Sequence, residues 1–272
     1  MKARSWYRVA LATDSGEPQL VLASGEHVGQ AIAEATKQLA GSWPIAVDPA
    51  TAEEIPLGES VGKGHVVRLG DAPAGLDRFR FPFGVLPAVT GGVTGMIEGW
   101  IERPDPHLFV VEAQAEAEHL VDLYLGLIER LPSADNLEIR LLDHFEAAMT
   151  TDVWLTSRVN ARKIIRFLDD HDEELFGNGH VELGVYVRAH KATLRLTQHK
   201  TVVWLGEERA LASELEQWLR ELKLPRVAAL PSVEDGAHHH FRTAHGRDRK
   251  KLSDELYKQR LRKVDTIKRS DA

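Results

Sequence analysis

The chain has 272 residues, with 34 basic and 41 acidic side chains, 13 histidines, no cysteine and a formal net charge of −7. At roughly 100–200 residues per domain this length makes two domains or one large one, and an apolar content of 43% excludes a disordered chain. The missing cysteine excludes disulfides, thiolate catalysis, cysteine-based zinc sites and iron–sulfur clusters.

The first element is a strand at Trp6–Ala12, with Tyr7, Val9 and Leu11 on one face, followed after Ser15-Gly16-Glu17-Pro18 by a second at Gln19–Ala23. Ser24 stands where a helix N-cap belongs, Val28, Ile32, Ala35 and Leu39 follow at helical spacing, and Gly41 supplies a left-handed stop. Ile45–Val47 and His65–Leu69 complete a small α+β unit over residues 1–70. Residues 71–106 are irregular: Phe81 to Ile97 carries no charge, four glycines and two prolines, which fits a long connection better than a helix.

The main α+β domain is expected over 107–231. A strand at Leu108–Val111, a helix at Glu116–Leu131 stopped by Pro132, and a strand at Leu137–Leu142 form one strand–helix–strand unit. Val153–Leu155, a helix from Ala161 and Val181–Val187 form another. Thr193–Leu196 and Thr201–Leu205 extend the second unit as an antiparallel meander, before a helix at Glu207–Leu222 and a strand at Arg226–Leu230. The fold expected is therefore α+β, with mixed sheets and an appended C-terminal helix read from Lys250 to Arg269. Residues 232–272 are read as a histidine-rich linker and a basic helical tail.

Two glycine-rich segments invite nucleotide readings. Gly58-Glu59-Ser60-Val61-Gly62-Lys63-Gly64 has one residue too few between its glycines and no Ser or Thr after Lys63, so it is read as a turn. Thr90-Gly91-Gly92-Val93-Thr94-Gly95 is read as a connection, with partner binding as the alternative.

Arg158, Arg162 and Arg166, with Lys163 beside them, open a helix where cations oppose the dipole. Either a bound anion compensates them, or the chain's own carboxylates do, through Asp169 and Asp170 for Arg166; the internal pairing is favoured. The run Asp169-Asp170-His171-Asp172-Glu173-Glu174 is read as a helix break, with Asp170 and Glu173 as a capping box, rather than as a metal site. Asp235, His238, His240 and His245 offer metal-ligand chemistry. Adjacent residues of an extended chain point to opposite faces, so at most two of His238-His239-His240 can share one ion. A solvated polar loop is the plainer reading of that cluster.

Charge adds a last feature. From Arg242 to Ala272 there are 11 basic and 5 acidic residues, a balance of +6, against −13 for the chain before Arg242. Such a split belongs to an interaction arm or to a tail folded back onto an acidic body. Lys251, Lys258, Arg262 and Arg269 form a stripe, partly neutralised by Asp254, Glu255 and Asp265, beside an apolar side of Leu252, Leu256, Val264 and Ile267.

These residues favour a non-catalytic binding or regulatory protein whose tail docks onto a protein partner, a second copy or its own body. An enzyme or sensor is the alternative, with an anion near Arg158 and Arg162 and a histidine cluster that binds a metal or shuttles protons. Nucleic-acid association through the tail ranks third, because its charges are mixed and Tyr257 is its lone aromatic. No acid–base or nucleophilic frame is present, and no cofactor is expected. The N-terminus lacks the apolar core of a signal peptide and no long apolar window occurs, so a cytoplasmic protein without a membrane span is expected.

Overall fold

The computed structural model describes residues 4–55, 65–142, 149–207, 209 and 211–268. Within them the chain is α+β, with six helices and three sheets of four, eight and two strands, all antiparallel. The first sheet comprises β1 (Ser5–Ala12), β2 (Gln19–Gly25), β3 (Trp43–Pro49) and β4 (Val66–Asp71), in the order β3-β1-β2-β4. Helix α1 (Val28–Gln38) packs on it through Ala31, Ile32 and Ala35, and Gly41 turns the chain back with φ of 74°. The helix is entered differently from the sequence expectation. Ser24 remains in β2, and His27 occupies the cap position without a side-chain capping bond.

The uncharged segment is largely interior. Phe81, Val85, Leu86 and Met96 are buried with Val9, Ile32 and Val47, and its centre forms a short strand, β5 (Val85–Pro87). Chain then passes through β6 (Gly99–Arg103) and β7 (Phe109–Gln114) into α2 (Ala117–Arg130). Leu120, Leu123, Tyr124, Leu127 and Ile128 make the buried stripe of α2, the i, i+3, i+4 pattern of a helix lying on a sheet.

Next come β8 (Asn136–Leu142), β9 (Thr150–Leu155), α3 (Ala161–Asp169), α4 (Asp172–Leu175), β10 (Val181–Val187), β11 (Ala192–Leu196) and β12 (Val202–Gly206). The eight-stranded sheet has the order β14-β9-β8-β10-β11-β12-β7-β6, where β14 (Arg262–Lys268) is the last strand of the chain. The expected mixed sheet of strand–helix–strand units is therefore corrected. β7 and β8 flank α2 in sequence, but β10, β11 and β12 lie between them in the sheet, and β8 lies between β9 and β10. Periodicity identifies strands and helices but carries no information about partners, and the tight meander filled the gap. Among the described residues the one parallel pairing is an isolated bridge, Trp100 to Arg226; the strand expected at Arg226–Leu230 is otherwise not formed.

Helix α5 (Ala212–Glu221) starts later than expected, and Glu207 instead pairs with the Lys191 ammonium at the β10–β11 turn at 2.7 Å. The acidic run after α3 does break the helix, yet the expected capping box is not formed: Asp170 closes α3, and His171 holds the N-cap position of α4 without a side-chain capping bond. The glycine-rich loop 58–64 lies outside the described residues.

The tail departs most from its expected form. Helix α6 (Arg249–Lys258) is capped by the Asp248 carboxylate, which accepts from the Lys251 amide at 2.9 Å. Arg260 then adopts φ of 64°, and the Leu261 amide donates to the Leu256 carbonyl at 3.0 Å, which closes the helix. Beyond it Val264, Thr266 and Ile267, with β-branched side chains, continue as β14 on the free edge of β9, in place of a helix running to residue 269. Arg269 lies outside the described residues. Leu252, Leu256 and Leu261 are at most 3% exposed in the main core. No helix of the described residues is long and apolar enough to cross a membrane.

Candidate metal centre

Strand β13 (His238–His240) pairs antiparallel with β5, setting His238 opposite Pro87 and His240 opposite Val85. Flanking backbone bonds fix it: Ala88 N–H to the Ala237 carbonyl, Ala237 N–H to that of Gly91 and Phe241 N–H to that of Gly84, all at 2.8–2.9 Å. The cluster is therefore a sheet element with a set register, where a mobile linker was expected. Gly84, at φ of 109°, and Gly179 touch backbone to backbone. A Cβ on either would collide with the other, so only glycines allow the chain entering β5 to lie against the chain entering β10.

Alternation along the strand divides the histidines. His239 points to β3, where its Nε2 meets the Asp48 carboxylate at 3.0 Å and Arg8 holds the same carboxylate at 2.8 Å. His238 and His240 share the opposite face. A third imidazole joins them from the β11–β12 turn. There the Lys200 amide donates to the Thr197 carbonyl at 3.0 Å, and Lys200 sits in the left-handed region at φ of 65°, an uncommon place for a side chain of its size. Its ammonium is buried and donates to the Asn178 carbonyl at 2.7 Å, which anchors the turn. Burial pushes that ammonium down to about 7, against the opposing pull of Glu182. The turn presents His199 to β13.

Ring centroids are 4.8 Å apart for His199–His240, 4.9 Å for His199–His238 and 5.1 Å for His238–His240. One nitrogen from each ring lies within 4.8 Å of the others. Tetrahedral ligands about 2.0–2.1 Å from zinc stand roughly 3.3 Å apart, so rotamer-scale movement of about 1 Å closes the set on an ion. Outer contacts orient two of the rings. His238 Nδ1 faces the Gly236 carbonyl at 2.9 Å, so it carries the proton and leaves Nε2 as the lone-pair nitrogen. His199 Nδ1 contacts the Glu234 carboxylate, the outer partner that usually accompanies a metal-ligating imidazole.

The sequence candidates thus separate. His238 and His240 converge. Asp235 instead accepts from the Ser232 amide at 2.8 Å in a capping box, and so shapes the turn carrying Glu234. His245 is exposed and outside the cluster. His199 was missed: two histidines at i, i+2 on a strand call for a third ligand, but nothing local picks it out among the remaining histidines.

The other candidates lie elsewhere. Arg158 reaches the buried Asp135 at 3.2 Å, Arg166 lies 3.8 Å from Asp170, and Arg162 and Lys163 are exposed. The α3 N-terminus is capped by Asn160, which accepts from the Lys163 amide. Lys251, Lys258 and Arg262 are exposed on α6 and β14.

No family model, curated protein or solved structure matches the chain.

Proposed function

We propose that this is a transition-metal protein, zinc foremost, whose ligands are His199, His238 and His240. The convergence of three imidazole nitrogens within 4.8 Å, from two separately anchored segments, carries this reading. Neutral imidazole suits zinc, and three protein ligands leave the fourth position open, the arrangement of catalytic sites. Such an ion supplies Lewis acidity toward a substrate oxygen or water. Glu234 orients His199, the Gly236 carbonyl orients His238, and the Lys200 anchor holds the turn in place.

The test is zinc titration by calorimetry, with metal content measured after dialysis. One zinc per chain is expected. His199→Ala, His238→Ala and His240→Ala should each weaken binding by at least about 100-fold, while His245→Ala should not. Less than one ion per chain, or equal losses on His245→Ala, overturns the reading.

A second reading, contact with an acidic protein partner along the tail, is favoured by one observation. Tyr257, Val264 and Ile267 are 75%, 52% and 42% exposed beside Lys258, Arg262 and Lys268 on the outermost strand and its helix. Exposed apolar residues on a sheet edge are a template for another strand. Crosslinking in native extract that yields no adduct on β14 would count against it.

A further inference from the structure

A cavity of about 510 Å³ lies where the start of α1, the ends of β8 and β10 and the segment between β13 and α6 meet. Its size falls within the range of small-molecule sites. Leu141, Val181, Phe241 and Leu252 are among its apolar lining residues, and His180, His240, Arg242 and Asp248 among its polar ones, the Asp248 carboxylate being engaged by the Lys251 amide at the start of α6. Two further arginines at the cavity are already compensated: Arg247 by Glu174 at 2.5 Å, and Arg249 by Asp152 at 2.9 Å. Arg242 differs. Among the described residues its guanidinium has no hydrogen-bond or carboxylate partner, and its Nε is sealed from solvent. A partly buried cation without an anion is costly, and arginines in proteins ordinarily find one. Glu26, at the cavity rim, is exposed and makes no ion pair with Arg242. The first turn of α1 also opens beside the cavity with no side-chain cap.

We infer that this cavity receives a small organic anion, its carboxylate or phosphate head on Arg242 and its apolar body against Leu141, Val181, Phe241 and Leu252. The inference goes beyond the metal reading and does not need the ion. His240 belongs to both the cavity wall and the imidazole cluster, so an occupant lies next to the proposed centre.

The test measures binding of naphthoate, naphthyl phosphate and neutral naphthylmethanol to the full chain by calorimetry, with and without a chelator. Either anion should bind at least about tenfold more tightly than naphthylmethanol, as one charge-assisted contact allows. The tighter of the two identifies the head group. Arg242→Met should abolish the preference while leaving naphthylmethanol binding unchanged, which also reports an intact cavity. Arg242→Lys should retain part of it. Equal binding of charged and neutral probes by the unmodified protein overturns the inference, and so does a preference that survives Arg242→Met. A preference that persists in chelator, in a protein that takes up no zinc, sustains this inference while the metal reading falls.

Discussion

Replacing Leu256 with alanine asks whether the basic tail is an arm or a part of the core. Leu256 is 1% exposed and lies in the main cluster with Leu252 and Leu261. The substitution removes three carbons, worth about 0.8 kcal/mol each in transfer. The cavity left behind adds to this, so a loss of about 2.5–4 kcal/mol is expected, within the range for buried leucines. Alanine favours a helix at least as well as leucine, so α6 itself is not weakened and the loss reports packing. Val264→Ala, at a position 52% exposed on β14, is the control and should change stability by no more than about 0.5 kcal/mol. Urea denaturation followed by tryptophan fluorescence suits the question, because Trp154 is buried in β9 directly opposite Lys263 of β14. A shift on Leu256→Ala equivalent to less than about 0.5 kcal/mol would refute the assignment of α6 to the core.

Two further outcomes are expected. Asp152, 7% exposed, accepts from Lys263 at 2.6 Å and Thr266 at 3.0 Å and pairs with Arg249 at 2.9 Å. Burial alone would raise its carboxyl, but those hydrogen bonds and charges outweigh burial and hold it below the usual carboxylate range. A depressed folded value means stability that is present above the unfolded value of about 3.9 and lost as pH falls through the folded one. Asp152→Asn should therefore cost about 1–3 kcal/mol at neutral pH, less than for a fully buried pair because Lys263 is partly exposed. The gap from wild type should narrow below about pH 4; a gap in urea midpoint that stays constant with pH would remove the linkage. Glu234→Gln should weaken zinc binding about 10–100-fold with little change in the apo melting temperature; unchanged affinity would show that Glu234 does not orient His199.

What the sequence disclosed follows from which interactions are local. The alternation at Val181–Val187 and the 3.6-residue stripe of α2 depend on a side chain's own neighbours, and both elements formed where expected. The pairing of β13 with β5 joins distant segments through backbone groups, and three histidines opposite Val-Leu-Pro leave no signature. β14 escaped for a related reason. Its residues are all exposed, so no burial pattern marks it as a strand, and its charge periodicity imitated a helix. Two of the three ligands of the candidate centre, His238 and His240, were legible from i, i+2 alternation; His199 depends on a turn whose anchor, buried Lys200, reads as an ordinary surface lysine. Part of the charge split is internal: Arg247, Arg249 and Lys263 meet Glu174 and Asp152 of the acidic body, while Lys251, Lys258 and Arg262 stay exposed.

The β5–β13 ladder also bears on the order of assembly. Its two strands lie on either side of nearly the whole eight-stranded sheet in the sequence, so closing the ladder before those strands pair would carry the entropy cost of a long loop. An ion that bound the native cluster and not the unfolded chain would add RT ln(1 + [ion]/Kd) to native stability. The same ladder joins Val85–Pro87 to His238–His240 through a three-residue ribbon, so a metal at its face would act as a clasp on the long loop between them.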